Sequence, residues 1–111
     1  MANKRTRIYE VQAHPQQVFP AVQNALSAAT GTPSYAQGNV LRTSSRMSLF
    51  SWGENYFVTV EGSPMGSLVT VEIKLPLPTQ IIDFGILNRR QDDFLPHLQQ
   101  FVGHMREVSR S

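Results

Sequence analysis

The sequence predicts an α+β fold: an antiparallel meander sheet of about five or six strands, an N-terminal helix after strand 1, and a long C-terminal helix packed on the sheet. Three observations carry this. Tyr56, Val58 and Val60 fall at every second position, as do Val69, Val71 and Ile73, on either side of Ser63-Pro64-Met65-Gly66. Val18, Val22, Ala25, Leu26 and Ala29 form an apolar stripe at helical spacing. Phe94, Leu95, Leu98, Phe101, Val102, Met105 and Val108 form a second, wider one. A chain of 111 residues makes one domain, residues 1–111.

Residues 5–13 alternate around Ile8, Tyr9 and Val11 and predict the first strand. His14 reads as a loop residue ahead of Pro15, and proline suits a first helical turn because its missing N–H is not needed there. Pro20 is an awkward interior residue, so the spacing predicts either a kink or a helix start near Phe19. Gly31 and Pro33 end that helix.

Tyr35 and its neighbours pair with the strand from Val40 across a turn at Gln37-Gly38-Asn39, and that strand extends as far as Phe50. In the next hairpin but one, a Ser63–Gly66 loop pairs Val60 with Val69, Val58 with Val71 and Tyr56 with Ile73. A slip of one residue would scatter the valines over both faces, which decides the register. The same argument makes Trp52-Gly53-Glu54-Asn55 a loop, pairs Leu49 with Val58, and sets Phe50 opposite Phe57 and Arg46 opposite Glu61 on the outer face.

Residues 76–87 form a long apolar connection whose role the residues leave open as lid, strand or partner-binding arm. The last helix starts near Asn88 or Asp92 and runs through Val108, with Pro96 favouring the later start.

Formal net charge is +2 and the basic residues are scattered, so no nucleic-acid tail is indicated. No apolar run is long enough to span a membrane, and the N-terminus lacks the apolar core of a signal peptide. A cytoplasmic protein is expected. Cysteine is absent, which excludes disulfides and thiolate chemistry.

No catalytic signature stands out, and no catalytic residue can be named. His97 and His104, seven apart, would share a helix face about 10 Å apart, too far to share one metal. Asp83-Phe84-Gly85 spells a kinase metal-binding triplet, but no companion motif accompanies it. No metal and no cofactor is expected. Phe50, Trp52 and Phe57 are the candidate interaction surface, since aromatics on an open sheet face can anchor a partner. Arg89-Arg90 at a helix start can hold an anion, though solvated charges are the commoner use of such a pair.

The opening Ile8-Tyr9-Glu10-Val11-Gln12-Ala13-His14-Pro15-Gln16-Gln17-Val18-Phe19, followed by a meander and a long apolar C-terminal helix, resembles the START/Bet v1-like (polyketide cyclase, helix-grip) superfamily. The resemblance implies a helix-grip cavity for an apolar small molecule, lined by Tyr56, Val58, Val71, Phe94, Leu98 and Phe101, with Phe84 as a lid. This chain is shorter than typical members, and its helices need most of those side chains for packing. The first expectation is therefore a non-enzymatic binder of a hydrophobic small molecule. The alternative is a protein interaction module or homodimer using the outer sheet face. A nucleic-acid partner ranks third, and a cyclase-type enzyme fourth, with no polar group to assign to it.

Overall fold

The computed structural model describes residues 4–44, 53–75 and 85–111. The elements run β1 (Lys4–Val11), α1 (Pro15–Thr30), β2 (Tyr35–Gln37), β3 (Val40–Ser44), β4 (Asn55–Ser63), β5 (Gly66–Lys74), α2 (Ile86–Val102) and β6 (Met105–Arg110). They build the expected α+β architecture. Six strands form one antiparallel sheet in the order β2-β3-β4-β5-β1-β6, and both helices pack on one face of it.

The central hairpin has the predicted register: Tyr56 faces Ile73, Val58 faces Val71 and Val60 faces Val69. All six side chains are buried beneath the helices together with Tyr9, Val11 and Leu41. Val18, Val22, Ala25 and Leu26 of α1, and Leu87, Phe94 and Leu98 of α2, close the core from above. Successive strand residues point to opposite faces, so this register puts the intervening residues of β4 and β5 on the other side of the sheet.

α1 starts at Pro15, not near Phe19. His14 is its N-cap: Nδ1 accepts the Gln16 N–H at 3.1 Å, supplying one of the partners that first-turn amides lack. Pro20 therefore lies within the helix, where it withholds the amide that the Gln16 carbonyl would otherwise receive. Gly31, at φ 71°, ends the helix as expected.

Two expectations are corrected. The strand paired with β4 is Val40–Ser44, so Leu41 faces Val58 and Arg42 faces Phe57. The expected partners Leu49 and Phe50 lie outside the described residues, as do Arg46, Trp52 and Phe84. The last helix begins at Ile86 and ends at Val102. Gly103, at φ 88° and ψ −145°, turns the chain into β6. Met105 and Val108 thus sit on an edge strand beside β1, and His104 shares no helix with His97. The helical spacing of 94–108 extended past a glycine that can adopt a backbone conformation closed to other residues.

Candidate functional site

Of the residues expected to line a cavity, Tyr56, Val58, Val71, Phe94 and Leu98 all belong to the core cluster. The Tyr56 and Phe94 rings meet edge to face with centroids 6.0 Å apart. Phe101 turns outward and is exposed. Phe84 lies outside the described residues.

Three polar side chains are buried at the interface of α2 and the sheet, a place not expected of them from the sequence; Gln91 in particular reads as a capping partner of Asn88, but the helix begins at Ile86 with Gly85 as its cap. Arg7, Glu54 and Gln91 are each buried. Arg7 Nη1 donates to Asp92 Oδ1 at 2.9 Å, and Arg90 Nε donates to Glu54 Oε1 at 3.2 Å. Gln91 Nε2 donates to two strand carbonyls, Arg5 O at 3.0 Å and Val71 O at 2.9 Å. Consecutive residues 90, 91 and 92 thus fasten one turn of α2 to the sheet, each through a different partner. Arg7 was legible from parity, since it precedes Tyr9 and Val11 on the inward side of β1. Gln91 falls on the stripe between Leu87 and Phe94. This arrangement is a brace: its charges are committed to one another, and it offers no nucleophile with an adjacent base. Among the described residues no group of three or more His, Asp or Glu side chains could hold a metal.

The opposite face of the sheet differs. No described helix packs on it, and the register arranges its side chains in rows across the strands. One row reads Lys4, Lys74, Asn55, Ser44. The next reads Thr6, Glu72, Phe57, Arg42, Tyr35. The third reads Ile8, Thr70, Thr59, Val40, Gln37. Phe57 therefore lies on the outer face, as the alternation predicted, with Glu72 on one side and Arg42 on the other.

A cleft of about 570 Å³ opens beside Phe57 at the β2 end of this face, lined by Thr32, Pro33, Tyr35, Arg42, Thr43, Ser44, Asn55 and Phe57. Its floor is a knot of hydroxyls. Thr32 Oγ1 lies 2.8 Å from Thr43 Oγ1 and donates to Ser44 O at 2.9 Å. Thr43 Oγ1 donates to Pro33 O at 3.0 Å. Ser44 Oγ donates to Asn55 Oδ1 at 2.8 Å. These bonds tie the segment after α1 to β3 and β4, so the cleft has a braced floor and two aromatic walls. Lys74 Nζ stands 5.0 Å from the Phe57 ring centroid, a cation–π contact that fixes the ring from the side of β5.

A smaller cleft of about 230 Å³ lies between Glu10, Gln12, Met65, His104 and Arg106. Its acid is already engaged, with Arg106 Nη2 2.9 Å from Glu10 Oε1. Among the described residues no helix is long and apolar enough to cross a membrane. Compared with known proteins, the chain matches no family model, no curated protein and no solved structure.

Proposed function

We propose that this chain is a small non-enzymatic binding protein whose ligand is taken on the outer sheet face, in the cleft beside Phe57. The observation that supports this is where the space lies. Among the described residues the helix–sheet interface is taken up by packed side chains, with Val58, Val71 and Leu98 at 0% exposure. The cleft at Phe57 has a volume in the range typical of small-molecule sites. It also combines aromatic walls with a few placed polar groups, as such sites do. No side chain in it forms a nucleophile–base pair, in keeping with binding without turnover.

Amide chemical-shift mapping during a small-molecule screen tests this reading. Hits that move Arg42, Ser44, Asn55 and Phe57 support it. Hits that move Val58, Val71 and Leu98 instead would place the ligand between helix and sheet and overturn it.

A second reading is a protein partner, or a second copy, on the same face. Ile8, Val40, Phe57 and Leu68 are half-buried there with no described helix over them. Its test is the mass in solution over a concentration series. A dimer abolished by Phe57→Ser supports this reading, and a monomer throughout removes the homodimer.

A further inference from the structure

The cleft's hydrogen-bonding groups are unequal in a way that points to a class of ligand. Three of its four hydroxyls spend their protons on groups of the cleft itself: Thr32 donates to Ser44 O, Thr43 to Pro33 O and Ser44 to Asn55 Oδ1, while the Tyr35 hydroxyl has no partner among the described residues. Accepting that last bond leaves the Asn55 amide nitrogen, with two N–H groups, as a donor with no partner among the described residues. Arg42 contributes a guanidinium and forms no ion pair among the described residues. The donors still available in the cleft are therefore the Asn55 amide, the Tyr35 hydroxyl and the positively charged Arg42 guanidinium, while the three spent hydroxyls offer only lone pairs.

The neighbouring charges reinforce this. Arg42 lies between Tyr35 on β2 and Phe57 on β4 in the same cross-strand row. Lys74, beside Phe57, likewise has no carboxylate partner among the described residues. The nearest acid in the row is Glu72, across Phe57 from Arg42, and Lys4 engages it at 3.6 Å. Two cations thus flank Phe57, and the one neighbouring carboxylate is partly neutralised. A planar guanidinium with a free edge suits the fork of a carboxylate or phosphate. Aromatic walls on either side suit a flat ring.

We infer that the cleft takes a planar aromatic anion, its carboxylate or phosphate on Arg42 and the Asn55 amide and its ring between Tyr35 and Phe57. This inference rests on the reading that the cleft is the ligand site, and adds the charge and shape of what enters it.

The test titrates the whole chain with benzoate, phenyl phosphate, benzamide and inorganic phosphate, followed by amide shifts. Benzoate or phenyl phosphate should move Arg42, Ser44, Asn55 and Phe57 saturably, and the better of the two identifies the preferred oxyanion. Neutral benzamide should bind about five-fold more weakly, as expected for loss of one charge-assisted contact. Arg42→Met should lower benzoate affinity to the benzamide level and leave benzamide unchanged; Arg42 is exposed, so folding is not at stake. Phe57→Leu should weaken both ring-bearing anions, while inorganic phosphate binds weakly and without regard to residue 57. Equal binding of benzamide and benzoate at these amides would overturn the anion preference and leave the cleft as the site. Shifts elsewhere, or none with any probe on folded protein, would overturn both.

Discussion

Arg7 and Asp92 form an ion pair with one end in the core and the other in water: Nη1 to Oδ1 is 2.9 Å, with the arginine side chain 2% exposed and the aspartate 66%. The guanidinium hangs inward from β1 beneath α2, and its Nε has no hydrogen-bond partner. Such a charge is tolerated only while its carboxylate stays in place, because removing one partner of a buried pair leaves the other uncompensated. Asp92→Ala should cost about 2 kcal/mol, held to that figure by the water around the aspartate. Adding Arg7→Met should recover part of the loss, since a chain of similar length then fills the space without charge. Urea unfolding of both singles and the double closes the cycle. A double variant less stable than Asp92→Ala alone would show that the arginine is no liability without its partner.

Gly66 and Gly38 both sit at positive φ in hairpin turns, at 137° and 61°, yet their surroundings differ. A Cβ on Gly38 would meet nothing within 4 Å. One on Gly66 would come 2.7 Å from Ala13 N and closer still to the Val11 carbonyl oxygen. The β4–β5 turn is pressed against the β1–α1 connection there, and Ser67 Oγ bonds to Ala13 O at 2.6 Å. Gly38→Ala should cost only the backbone conformation, about 1 kcal/mol. Gly66→Ala must also move backbone and should cost at least twice as much. Paired thermal melts would check this, and similar melting temperatures would mean the turn can swing away from residues 11–13.

The β4–β5 register was legible because parity puts Tyr56, Val58, Val60, Val69, Val71 and Ile73 on one face and Pro64 and Gly66 fix the turn among the registers of that parity. The β3–β4 register was not, although the same rule was applied. Pairing Leu49 or Leu41 with Val58 differs by eight residues, an even number, so both choices bury the same face and side-chain parity cannot separate them. Arg42, rather than Phe50, therefore came to lie beside Phe57. The cleft was hidden for the same reason, since its walls come from β2, β3 and β4. An engineered disulfide checks the register. Ser44 and Asn55 face each other with Oγ and Oδ1 2.8 Å apart. In a chain without native cysteine, Ser44→Cys with Asn55→Cys should cross-link under mild oxidation. Thiols that stay free would count against the observed pairing.

Tyr56 gives the fold an alkaline limit. Its phenol is buried in the core, and loss of water pushes its pKa up from 10.0 to about 12; the nearby Glu54 carboxylate adds to the shift and Arg90 opposes it. Burial raises the Tyr9 phenol as well, against the Arg7 guanidinium beside it. In the unfolded chain a tyrosine loses its proton near its ordinary value. Between pH 10 and 12, then, the unfolded state binds fewer protons than the folded one, and stability falls as pH rises. The contribution is whole below pH 10 and gone above about 12, and a shift of this size amounts to about 2–3 kcal/mol. Tyr56→Phe keeps the ring against Phe94 and removes the ionisation. Its unfolding free energy should therefore decline less steeply over this window than that of the parent chain, which still carries both buried phenols. Denaturant titrations at stepped pH measure the two slopes. If the slopes are equal, the Tyr56 hydroxyl is reached by water, and the interface between α2 and β4 is looser than its packing implies.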